Sequence, residues 1–231
     1  MGTLYIVATP IGNLEDITLR ALRILKEVDV VLCEDTRVTK KLLSHYDIHV
    51  LTQSFHAHST LSKVDQIIEM LKEGKNLALV TDAGTPAISD PGSILVSKVR
   101  EELGNEAKVV AIPGPSALTA ALSIVGIPGG DFIFLGFLPH KKGRETLFKE
   151  MAATERAVVF YESPHRILKT LASLREFVSV EQPLRKISIA RELSKIYEEV
   201  LQGSPEELLK TFETFPEKER GEFVVILWPR A

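Results

Sequence analysis

The chain has 231 residues, of which 45% are hydrophobic, 26% charged and 6% aromatic, a composition that folds and buries a sizeable core. One cysteine, Cys33, excludes a disulfide scaffold and any multi-cysteine zinc site, and it suits a reducing, cytoplasmic setting. A net charge of -3 excludes a bulk polycation that coats DNA, and no segment approaches the roughly 20 apolar residues that span a bilayer.

Short apolar runs alternate with amphipathic stretches. A strand is expected over residues 4–8, and apolar spacing at 17, 21, 24, 25 and 28 predicts a helix over 17–28. Strand 28–33, basic helix 36–46, a short strand over 49–53 and helix 63–72 come next. Strand 77–81, helix 91–103 and strand 108–112 complete a βαβ rhythm, which argues for a mostly parallel sheet covered by helices. The second half begins with a small-residue helix over 115–125 and a loop at 126–130. Strand 132–137, helix 144–152, strand 157–161, helix 165–177 and strand 186–191 succeed it, with residues 197–201 placed to pair with that last strand. Helix 205–212 and strand 222–227 end the chain. Adjacent strands without a helix between them imply a mixed sheet. The expectation is therefore two α/β domains, 1–114 and 115–231.

Each strand of the first half runs into a loop of turn formers or polar groups: Thr9-Pro10-Ile11-Gly12-Asn13, Glu34-Asp35-Thr36-Arg37, Ser54-Phe55-His56-Ala57-His58, Thr81 to Gly92, and Pro113-Gly114-Pro115-Ser116. In a parallel sheet these loops share the carboxyl edge, where α/β folds bind ligands. No G-x-x-x-x-G-K-S/T and no G-x-G-x-x-G after the first strand is present, which disfavours P-loop hydrolysis and a Rossmann dinucleotide site. Asp82 can accept from a ligand's hydroxyl or amino group. The alternative for these loops is tight turns and helix caps. Glu34, Asp35 and His56 are candidate bases at this edge, with ion pairing to Arg37 or capping as the competing role for the two carboxylates. His45, His49, His56 and His58 lack the spacing of a catalytic zinc site, so no metal is expected; His56 and His58 suit contact with a nucleotide. Arg37 is a candidate phosphate contact, and the run Pro139-His140-Lys141-Lys142-Gly143-Arg144 places Lys141, Lys142 and Arg144 as RNA-docking candidates, against an ordinary solvated turn. Ser163 and Pro164 read as the N-cap and first residue of a helix.

These loops, together with Gly136-Phe137-Leu138-Pro139, Phe160-Tyr161-Glu162-Ser163-Pro164-His165-Arg166, Ala190-Arg191-Glu192-Leu193 and Gly221-Glu222-Phe223, resemble the tetrapyrrole-methylase-like, class III S-adenosylmethionine-dependent methyltransferases. Within them the sequence resembles the enzymes that methylate the ribose 2′-oxygen of a cytidine in the decoding region of small-subunit rRNA. The resemblance runs from Leu4 to about Leu227. It implies a homodimer of two-domain chains with the methyl donor in the interdomain cleft, acting on small-subunit rRNA or the assembled subunit, with no DNA or membrane partner. It places Ile11, Asp82, Thr85, Ser116, Ala117, Tyr161 and Ala190 at the donor. One departure stands out. Many porphyrin-type relatives carry G-x-G-x-G-D in the first loop, whereas this chain has Ala8-x-Pro10-x-Gly12-Asn13, which speaks against a tetrapyrrole C-methyltransferase. The other rival is a non-catalytic RNA-binding or assembly factor.

Overall fold

Five parallel strands, β1 (Thr3–Val7), β2 (Val30–Cys33), β3 (Leu51–Ser54), β4 (Leu77–Leu79) and β5 (Lys108–Ile112), form one sheet in the order β3-β2-β4-β1-β5. The computed structural model describes residues 1–56, 61–128, 130–178 and 185–230. The connecting helices are α1 (Leu19–Glu27), α2 (Thr36–His45), α3 (Leu61–Lys72) and α4 (Gly92–Leu103). Successive strand residues face opposite sides of a sheet. Leu32, Leu77 and Leu79 therefore pack with Ile67, Ile68 and Leu71 of α3 and Leu95 and Val99 of α4. Val31, Cys33 and Ala78 pack on the other side with Ile24 and Leu25 of α1 and Leu42 and Leu43 of α2. Both faces are covered, which is why these strands read as continuous apolar runs rather than alternating ones.

Helix starts follow local capping. The Thr18 side chain accepts from the Ala21 N–H, so α1 begins at Leu19 rather than at Ile17. Asp35 caps α2 by accepting from the Arg37 N–H. Strand β4 stops at Leu79, two residues before the expected end; the Thr81 carbonyl instead accepts from the Thr9 hydroxyl.

A second sheet holds β6 (Phe132–Phe137), β7 (Ala157–Glu162), β8 (Ile187–Arg191), β9 (Glu199–Gly203) and β10 (Phe223–Leu227) in the order β6-β7-β10-β8-β9. Only the β6–β7 pair is parallel, so the sheet is mixed as expected. Helices α6 (Arg144–Ala153), α7 (Ile167–Phe177) and α8 (Pro205–Thr214) pack through Phe148, Leu171 and Phe212 onto Phe160, Ile189 and Val225. Helix α5 (Ala117–Val125) lies against β8 and β10. Helix α8 opens on a reciprocal capping box between Ser204 and Glu207, with Pro205 at its first position. The chain divides into two compact units, Met1–Ser116 and Ala117–Ala231. Among the described residues no helix is long and apolar enough to cross a membrane.

Helix α7 corrects the expectation at Ser163-Pro164. It begins at Ile167, with Arg166 rather than Ser163 at the cap. The reason is tertiary: the buried Glu162 carboxylate accepts from both the Ser163 N–H and the Arg166 guanidinium, which fixes residues 163–166 as a turn.

Candidate active site

The carboxyl edge of the parallel sheet gathers the loops that follow all five strands. Loop one is joined to loop four by a two-way bridge, Thr9 N–H to the Gly84 carbonyl at 2.9 Å and Gly84 N–H to the Thr9 carbonyl at 3.0 Å. Loop two meets loop four where the Asp35 N–H donates to Asp82 Oδ1 at 3.1 Å. Loop four meets loop five where the Thr85 hydroxyl donates to the Pro115 carbonyl at 3.1 Å. Loop three follows β3, and its Phe55 N–H donates to the Cys33 carbonyl at 2.7 Å. Ile11, Glu34, His56, Asp82, Thr85 and Ser116 thus belong to one hydrogen-bonded rim; His58 lies outside the described residues.

Loop four is held in a demanding shape. Gly84 has φ +88°, and a Cβ there would sit 3.5 Å from Ile11 Cγ2. Ala87 and Ser89 also take positive φ, of 70° and 62°. The Asp90 carboxylate holds this course by accepting from the Ala87 N–H at 2.9 Å and the Gly92 N–H at 2.6 Å. We expect Gly84→Ala to cost about 1–2 kcal/mol from its backbone conformation, lowering Tm by roughly 2–8 °C in a thermal melt. An unchanged melt would contradict the strain assigned to this position.

The rim's carboxylates differ. Asp35 is held down to about 2, first by the Arg37 side chain and then by the Arg37 backbone N–H. Its carboxylate is 2.6 Å from Arg37 Nη2, so Asp35 is the cap and ion partner, which corrects its candidacy as a base. Arg37 itself is 87% exposed. Glu34 is pushed up, first by desolvation and then by the like charges of Asp82 and Asp90, with His56 opposing. A carboxylate that binds its proton more tightly is a better base toward a hydroxyl.

Lys141 and Lys142 are exposed, but Arg144 is buried at 8% exposure, its guanidinium donating to the Pro139 carbonyl and the Thr170 hydroxyl. That burial removes it from any phosphate-docking surface. Tyr161 is half-buried, packs edge-on against Phe134 and Phe137 at 5.1 and 5.4 Å, and hydrogen-bonds the Leu118 backbone one residue into α5 from Ala117. Burial of its ring raises the Tyr161 hydroxyl's pKa. Ala190 is fully buried in β8 between β10 and β9, so it offers a ligand no surface. Among the described residues no three His, Cys, Asp or Glu side chains gather as metal ligands.

Residues 3–209 match the family described as Tetrapyrrole (Corrin/Porphyrin) Methylases. The chain belongs to this family. Within it, the chain is 47% identical to Ribosomal RNA small subunit methyltransferase I of Thermotoga maritima, over 98% of each chain. It is 48% identical to the protein of the same name from Halalkalibacterium halodurans, over 89% of this chain and 69% of that one. The Vibrio cholerae counterpart is 44% identical over 97% and 76%. Among solved structures, the methyltransferase CobJ aligns with a TM-score of 0.70 at 20% identity, covering 99% of this chain and 95% of that one. Uroporphyrin-III-C-methyltransferase from Thermus thermophilus aligns at 0.65 and 20%, covering 99% and 94%. At that identity the two structures speak for the fold of the family.

The rim's chemistry fits a sulfonium methyl donor. Glu34 and Asp82 put like negative charge where a cation is favoured, and the exposed Asp82 carboxylate can accept from hydroxyl or amino groups.

Proposed function

We infer that this protein transfers the methyl group of S-adenosylmethionine to the ribose 2′-oxygen of a cytidine in the decoding region of small-subunit (16S) rRNA. The observation that carries this is the 47% identity, end to end, with a ribosomal RNA small subunit methyltransferase I. The solved tetrapyrrole enzymes stand at less than half that identity.

S-adenosylmethionine supplies an electrophilic methyl group on a sulfonium. In this reading Ile11, Asp82, Thr85 and Ser116 hold the donor in the first unit, with Asp82 as its polar anchor. Ala117 and Tyr161 are the donor contacts proposed for the second unit. Glu34 takes the proton from the ribose hydroxyl as the oxygen attacks, and His56 partly offsets the negative charge that Asp82 and Asp90 place on Glu34. Arg37, Lys141 and Lys142 meet RNA phosphates. Much of the acceleration comes from holding oxygen, carbon and sulfur in line, since orientation alone offsets several kcal/mol of barrier.

A net charge of -3 grips naked RNA poorly, so we propose the assembled small subunit as the substrate. We also propose that the enzyme is cytoplasmic and works as a homodimer, as the resemblance of its sequence implies. Ribose methylation mapped across 16S rRNA from a strain lacking the protein tests the reading. Loss of one 2′-O-methylcytidine in the decoding region is expected. An unaltered methylation map would contradict it.

A further inference from the structure

The second unit buries more charge than its core needs. The Glu162 side chain is fully buried at the end of β7, and it accepts from Arg166 Nε at 2.7 Å, the Ser163 N–H at 2.8 Å and the Thr170 hydroxyl at 2.6 Å. The same Thr170 oxygen accepts from Arg144 Nη2 at 2.7 Å. Two guanidiniums thus share one carboxylate, and Arg144 Nε has no hydrogen-bond partner. Desolvating an unmatched cation opposes folding, and an apolar residue over Phe148 would fill the same space at less cost.

What the two arginines do with their remaining donors is specific. Arg166 Nη1 donates to the Leu138 carbonyl at 2.8 Å, and Arg144 Nη1 donates to the Pro139 carbonyl at 3.2 Å. These carbonyls immediately precede His140, Lys141 and Lys142, all exposed. The far side of the same loop is tied where the Arg144 N–H reaches the Lys141 carbonyl at 3.2 Å, and Gly143 turns in the left-handed region at φ +79°. The start of the loop is therefore held by the Arg166 and Arg144 side chains, themselves tied to Glu162 of β7 and Thr170 of α7, and its end by the Arg144 backbone N–H, while Lys141 and Lys142 stay exposed.

We propose that Arg144, Arg166, Glu162 and Thr170 form a buried brace that positions the loop at residues 138–143, presenting Lys141 and Lys142 to RNA phosphates as a preformed cationic site. Arg144 and Arg166 are positioning residues that act through the lysines. This rests on the reading that those lysines dock RNA. A preformed pair of cations loses less freedom on binding than two lysines on a loose loop, and phosphate contacts of this kind fix the register of a substrate.

The test is methyl transfer to purified small ribosomal subunits across a salt series. The double variant Lys141→Ala/Lys142→Ala is expected to raise KM for the subunit and to flatten the slope of log kcat/KM against log salt by about one to two. Arg144→Gln is expected to raise the same KM about tenfold, the scale of re-ordering two long side chains, while kcat falls less than twofold and KM for S-adenosylmethionine is unmoved. Thr170→Val keeps Arg144 and removes only the hydroxyl that joins it to Glu162; it should shift KM in the same direction, and it carries the comparison should Arg144→Gln fold poorly. In the background lacking both lysines, each brace variant should add almost nothing to KM. Undiminished effects in that background would overturn the brace while leaving lysine docking intact. An unaltered KM in the lysine double variant would overturn the docking reading and the brace with it.

Discussion

Glu34→Gln is expected to lower kcat by about 10²–10⁴-fold, the range that a positioned base contributes. The substitution keeps size and hydrogen-bonding capacity and removes only the site for the proton. Desolvation, Asp82 and Asp90 all raise the Glu34 carboxyl above its ordinary 4.5. The ionised, competent form is therefore lost as pH falls through that raised value, and wild-type kcat should drop on the acid side above 4.5. Glu34→Gln should lose that acid limb along with the activity. Because His56 opposes the rise, His56→Ala should move the limb to higher pH. A full-rate Glu34→Gln enzyme, or an acid limb that survives in it, would remove Glu34 from the chemistry. Asp35 makes a poor substitute, because a carboxyl held to about 2 has little affinity for the proton it would have to take.

Asp82→Ala is expected to weaken S-adenosylmethionine binding by about 10–100-fold, the scale of one charge-assisted hydrogen bond. Its effect has a second component. Asp82 Oδ1 accepts the Asp35 N–H, so its loss also unties loop two, which carries Glu34, from loop four. Asp82→Asn separates the components, because an amide oxygen still accepts the Asp35 N–H but carries no charge. Calorimetric titration with the donor should rank the proteins wild type, then Asp82→Asn, then Asp82→Ala. Wild-type affinity in Asp82→Ala would place the donor elsewhere.

The first unit was largely legible because its strands are buried on both faces. Residues such as Val30-Val31-Leu32-Cys33 and Leu77-Ala78-Leu79 make unbroken apolar runs, and each run ends in polar residues that the parallel topology must place on one edge. The gathering of Glu34, Asp82, Thr85 and Ser116 followed from that topology alone. The connections among them did not. The Thr9–Gly84 bridge and the Asp90 clamp join backbone groups whose partners no spacing rule reveals.

The second unit was less legible where charge is buried. Arg144 sits in a run with Lys141 and Lys142 and reads as surface, yet it turns inward to a hydroxyl 26 residues away. Ser163-Pro164 has the composition of a helix start, yet a buried carboxylate next to it delays the helix to Ile167. Local preference there is overridden by the cost of leaving Glu162 and its guanidiniums unpaired. A burial signal for Glu162 was available only in its apolar neighbours, Val158-Val159-Phe160-Tyr161. Ala190 shows the converse limit: a motif identifies a segment, and the packing over the faces of β8, which leaves Ala190 fully buried, is not written in it.

Transfer of tritiated methyl from S-adenosylmethionine tests the central claim most directly, with purified small subunits, free rRNA and a porphyrinoid offered in parallel. The expected result is label in the small subunit, recovered in an alkali-resistant dinucleotide that contains 2′-O-methylcytidine. Label confined to the porphyrinoid, or label in rRNA that alkali releases as mononucleotide, would contradict ribose methylation as the activity of this protein.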